Sequence, residues 1–105
     1  MARSVLNEDQ LIFKTVNDFE RAIETGDFRI SKIIVETILN NLKTKKKNIY
    51  IMNFYIEETN ESLDFTVERS NFAEVLGKNL KFYEREELYE MCSVIQQTIK
   101  LLEST

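Results

Sequence analysis

The eight residues from Ile49 to Ile56 constrain the fold more than any other part of the chain. Seven are apolar or aromatic, and Asn53 is the single interruption. The run is far short of the ~18–20 apolar residues of a membrane span, and it reads as a strand over Ile49 to Glu57. Alternate residues of a strand point to opposite sides. Tyr50, Met52, Phe54 and Ile56 therefore line one predicted face, and Ile49, Ile51, Asn53 and Tyr55 the other. Both faces are largely apolar, so both demand cover. A two-stranded hairpin alone is marginal in water. Either helices shield both faces or the strand pairs with another chain. A homodimer joined through the β-hairpin, as a four-stranded sheet, answers the same demand.

The rest of the chain supplies such cover. Ile12, Val16, Phe19 and Ile23 recur at steps of 4, 3 and 4, which predicts an amphipathic helix over Asn7 to Glu24. Asn7 suits an N-cap, with Gln10 at capping-box spacing, and Gly26 suits a left-handed C-cap. Asp27 or Ser31 caps a second helix that ends near Leu42, with Ile30, Ile34, Ile38 and Leu42 inward. Lys43 to Asn48 is a polar connector. Leu63, Phe65 and Val67 alternate with polar residues in a second strand after the turn Glu58 to Glu61, which predicts an antiparallel hairpin. Ser70 or Asn71 caps a third helix, whose inner face is Phe72, Leu76, Leu80 and Tyr83 and whose interior holds Gly77. The acidic stretch Glu84 to Glu87 opens a fourth helix, with Leu88, Cys92, Ile95, Ile99 and Leu102 as its seam. The expectation is one small α+β domain over 1–105 of order ααββαα. A helical pair (7–42), the connector (43–48), a two-stranded antiparallel β-hairpin (49–68) and a second helical pair (71–103) make it up.

Composition narrows the chemistry. The chain has no His, so an imidazole base, a Ser-His or Cys-His pair and a His metal ligand are all excluded. One cysteine, Cys92, cannot form an intrachain disulfide or a multi-cysteine zinc site. It falls on the inner seam of a helix, where a small buried hydrophobe is the expected role. No nucleotide-binding glycine motif is present and no cofactor is expected. No apolar signal core follows Met1 to Val5, and a cytoplasmic location is expected.

The two predicted helical pairs share a pattern. Phe28, Ser31, Ile34, Thr37 and Ile38 match Tyr89, Cys92, Ile95, Thr98 and Ile99 at a constant offset of 61. In the second copy, Tyr89-Glu90-Met91-Cys92-Ser93 gives an aromatic residue, a Glu and two small residues before the aliphatic positions Ile95, Ile99 and Leu102. This arrangement resembles the UVR-type helical hairpin, with Gln96-Gln97 standing where that motif usually has Arg-Asp. Gly26-Asp27-Phe28, Ile34 and Ile38 form a looser first copy. The resemblance implies a protein-docking module rather than a catalyst.

Charge is distributed unevenly around a net of −4. Residues 28–48 carry six positive charges and one negative, whereas 49–70 carry one positive and five negative. The hairpin residues Tyr50, Tyr55, Glu57, Glu58, Glu61 and Asp64 are the candidate partner-binding set, with the carboxylates able to imitate a row of phosphates in a basic groove. Arg29, Lys32, Lys43, Lys45, Lys46 and Lys47 are the alternative set, for nucleic acid or a nucleotide. The leading expectation is a small, non-enzymatic protein that docks on a partner and inhibits or adapts it. A phage- or mobile-element-encoded inhibitor of a host or defence complex fits this description, as does a toxin-neutralising immunity protein.

Overall fold

The computed structural model describes residues 10–104. Its elements are β1 (Gln10–Phe13), α1 (Val16–Thr25), α2 (Phe28–Asn40), β2 (Asn48–Ile56), β3 (Glu61–Glu68), a short 3-10 turn (Arg69–Asn71), α3 (Phe72–Arg85) and α4 (Tyr89–Glu103). The class is α+β, with four helices among the described residues and a three-stranded mixed sheet of order β1-β2-β3. The expected ααββαα order is therefore corrected to βααββαα. The hairpin is present and antiparallel, but β2 is the central strand, because β1 pairs with it in parallel from Gln10↔Asn53 to Phe13↔Ile56.

The first predicted helix begins later than its periodicity implies, and the proposed Asn7 cap lies outside the described residues. Leu11 and Phe13 turn inward from β1 while Ile12 stays 59% exposed. The true N-cap is Thr15, whose Oγ1 accepts from the Asp18 backbone N–H at 3.0 Å. Ile12 falls in helical phase with Val16, Phe19 and Ile23 without belonging to their helix.

A β-bulge corrects the predicted faces of β2. Tyr50 pairs with Thr66 and Met52 with Phe65, so Ile51 is the extra residue. The slip places Ile49, Met52, Phe54 and Ile56 on the helix-covered face. Tyr50 joins Asn53 and Tyr55 on the other. Ile51 itself is buried.

Aromatic packing anchors the covered face. Phe54 lies 5.1 Å from Phe19, 6.2 Å from Phe13 and 6.3 Å from Phe65, centroid to centroid. One ring thus touches β1, α1 and β3. α2 packs on β2 and on α3, and α3 and α4 lie along one another. Phe72, Leu76, Tyr83 and Ile95 are buried in that second layer. Burial, with the Glu36 carboxylate as a smaller cause, pushes the Tyr83 hydroxyl up to about 12.

The acidic stretch Glu84 to Glu87 closes α3 rather than opening α4. The Glu87 N–H donates to the Glu84 carbonyl at 2.9 Å and the Leu88 N–H to the Tyr83 carbonyl at 3.0 Å, with Glu87 at φ 59°. This is a Schellman stop with Glu in the position that usually holds Gly. Asn71 stands before α3, but its side chain makes no capping bond.

The two glycines give opposite predictions. Gly26 has φ +72°, and a Cβ there would overlap the Phe82 ring. Gly77 lies inside α3 with open space around it. Gly77→Ala should raise unfolding stability by up to ~1 kcal/mol. Gly26→Ala should lower it by at least ~2 kcal/mol, from left-handed strain plus overpacking. Urea unfolding of both variants checks the signs.

Candidate interaction surface

Among the described residues the helices pack on the sheet side that carries Phe13, Ile49, Met52, Phe54 and Val67, and the pairing register assigns Gln10, Ile12, Tyr50, Asn53, Tyr55, Ser62, Asp64 and Thr66 to the other. Cross-strand polar bonds hold this face together. Gln10 Nε2 donates to Asn53 Oδ1 at 2.7 Å, and Asn53 Nδ2 donates to Ser62 Oγ at 2.8 Å and Asp64 Oδ1 at 2.9 Å. Asn53, the residue that interrupted the apolar run, thereby ties all three strands and is only 9% exposed. Around it stand Ile12 and Tyr50, the latter 46% exposed. Tyr55 donates from Oη to Asn60 Oδ1, bracing the hairpin turn.

The predicted partner-binding residues divide by role. Tyr50, Tyr55 and Asp64 share the open face. Glu57, Glu58 and Glu61 lie at the β2–β3 turn and are exposed. Glu58 has a structural task, since its Oε1 accepts from the Val16 backbone N–H at 2.8 Å, at the positive end of α1. The Glu57 and Glu58 backbone N–H groups bond the Phe13 and Lys14 carbonyls, which fastens the turn to the segment between β1 and α1.

The predicted basic set separates into two places. Arg29 and Lys32 lie on the N-terminal part of α2, whereas Lys43, Lys45, Lys46 and Lys47 follow its C-terminus, about 20 Å away at helical rise. Arg29 is also engaged. Its Nη2 meets Asp27 Oδ2 at 2.6 Å and its Nε meets Asp27 Oδ1 at 3.1 Å. That guanidinium holds the Asp27 carboxyl below its ordinary range. The four lysines are all exposed and adjoin the Tyr50 end of the open face.

Sequence reasoning missed the residue that organises the lysine loop. Arg69 donates from Nε to the Lys46 carbonyl at 2.8 Å, and from Nη2 to the Asn41 carbonyl and Thr44 Oγ1, both at 2.9 Å. Its guanidinium lies 5.0 Å from the Phe72 ring centroid. Arg85 does the same for α1, donating to the Thr25 and Gly26 carbonyls at 2.9 and 2.8 Å. Both arginines satisfy carbonyls left open where helices end, with charge of the sign the helix dipole favours. No local pattern marks either one, since their partners lie 23–28 and 59–60 residues away.

Cys92 is buried, and burial with the nearby Glu84 pushes its thiol up, which suits a packing role. Among the described residues no group of His, Cys, Asp or Glu converges as a metal site, and no helix is long and apolar enough to cross a membrane. No family model matches the sequence, and neither a curated protein nor a solved structure matches it.

Arg69→Ala should destabilise the fold by ~2 kcal/mol, because several charge-assisted bonds are lost and their carbonyls remain. Arg69→Lys should recover less than half, since one ammonium cannot reproduce the fork. Chemical denaturation of both variants provides the measurement. Equal stability of wild type and Arg69→Ala would remove the clamp.

Proposed function

We propose that this chain is a non-catalytic docking protein whose contact surface is the open face of its sheet. The observation that carries the reading is the exposure of Ile12 and Tyr50 on a face that no helix among the described residues covers. Aromatic and aliphatic side chains inside a polar rim are the usual anatomy of a protein interface. The rim here has two signs, with the lysine loop at one end of β2 and Glu57 and Glu61 at the other. A partner of matching chemistry offers an apolar centre flanked by an acidic and a basic patch. A three-stranded face braced by cross-strand bonds suits occlusion or adaptation of that partner, the role expected of an inhibitor or immunity protein. The helical-hairpin resemblance favours docking as well.

A second reading keeps one specific support. Arg69 fixes the backbone of the loop that carries four exposed lysines, so their charges share a defined site. Such a site would bind nucleic acid with a steep salt dependence.

A photo-crosslinking phenylalanine analogue installed at Tyr50 should give one discrete protein adduct in the cells that make this chain. The same analogue at Gln97, exposed on α4, should not. An Ile12→Asp change should abolish the adduct without altering the circular dichroism spectrum. Equal adducts at both positions would sink the docking reading, and an adduct of nucleic acid would favour the second one.

A further inference from the structure

On the covered side of the sheet, α1 and α2 do not close against each other. They leave a groove of about 710 Å³, within the size range of small-molecule sites. Phe19, Ile23, Ile34, Phe54, Phe65 and Phe82 form its apolar walls. Ile23, at 48% exposure, stands at its mouth.

Two buried polar side chains also line it. Ser31 is 1% exposed, and its Oγ has no hydrogen-bond partner. A helical serine normally returns its hydroxyl to the carbonyl four residues earlier. Here that carbonyl, of Asp27, already accepts the Ile30 and Ser31 backbone N–H groups at 3.0 and 3.2 Å. Asn79 is buried as well and donates from Nδ2 to the Val75 carbonyl at 2.8 Å, while no described residue donates to its Oδ1. A buried hydroxyl without a partner is unfavourable and calls for one.

The neutrality of the groups buried inside the groove selects the ligand. Glu20, Glu24 and Asp27 also line the groove and no Lys or Arg does. Asp27 is paired with Arg29, but Glu20 and Glu24 have no ion pair among the described residues. Arg29, Lys81 and Arg85 stand on Asp27, Phe82 and Gly26 and offset those rim charges. The polar groups buried inside, on Ser31 and Asn79, are neutral, so a charged ligand end would be buried without a counter-ion. We propose that the groove binds an uncharged amphiphile, an apolar chain or ring ending in a hydroxyl or primary amide. The apolar part lies among the phenylalanines, and the polar end accepts from Ser31 Oγ and donates to Asn79 Oδ1. This site is separate from the open sheet face and does not depend on the docking reading.

The test uses the full chain and a neutral fluorescent probe, N-phenyl-1-naphthylamine, displaced by decan-1-ol or by decanoate. The probe should brighten on binding, and decan-1-ol should displace it at least tenfold more effectively than decanoate. Ser31→Ala should weaken decan-1-ol by about tenfold, the scale of one hydrogen bond, without lowering the melting temperature. Ala22→Trp should fill the groove and abolish probe binding. Should that variant unfold, Ile23→Trp at the mouth serves instead. Absence of probe binding, equal displacement by decanoate, or an unchanged Ser31→Ala affinity would each overturn the proposal. Displacement by a basic amphipathic peptide but not by decan-1-ol would also overturn it, and would assign the groove to a partner's helix.

Discussion

The contact of Phe54 with three other rings is the constraint on which the fold turns. Phe13, Phe19 and Phe65 reach it from β1, α1 and β3. Those elements are distant in sequence, so this cluster decides which side of β2 becomes interior. Once Phe54 faces inward, the bulge at Ile51 brings Ile49 and Met52 to the same side and moves Tyr50 outward. The described helices then cover that face and leave the other open. Across the other face the three strands are tied by Asn53 through its bonds to Gln10, Ser62 and Asp64.

A second device compensates for a loosely closed helical layer. α1 and α2 meet at Gly26 and Asp27 but pack on different neighbours, α1 against β1 and α2 against α3 and β2. Each helix end is tied by an arginine from a distant element, α1 by Arg85 and α2 by Arg69. The gap between the helices can therefore persist as a groove while their ends stay fixed. Phe82 seals one end of it by packing on Gly26, where no side chain fits.

Much of this architecture was legible in the residues, and its omissions have physical causes. Gly26, Asp27 and the aliphatic spacing mark α2, α3 and α4, because their signals are local, although Leu88, the first residue of the predicted α4 seam, lies before that helix and is 41% exposed. β1 was hidden because Ile12 sits in helical phase with Val16 and Phe19, while its strand partner lies more than forty residues away. The Thr15-Asp18 cap was the local clue to the correct start of α1. The bulge could not be read from a run in which almost every residue is apolar, since any register then buries apolar surface. The left-handed Glu87 disguised the end of α3, because that position usually belongs to Gly or Asn. Strict alternation put Tyr50 and Tyr55 on opposite faces, and only the bulge brings them together with Asp64, whereas Glu58 is drawn away to cap α1. Arg69, Arg85 and the Ser31 groove arise between distant elements and leave no local trace.

These features describe a small scaffold with one sheet face packed on its core and, among the described residues, one that keeps Ile12 and Tyr50 exposed. Paramagnetic relaxation by a soluble, neutral gadolinium chelate tests that division most directly, read on the assigned methyl resonances of the isolated protein. The Ile12 methyls should be strongly attenuated, while those of Val35, Ile38 and Met52 should be spared. An Ile12 as well protected as Ile38 would mean that the sheet face is already covered, and would contradict the account.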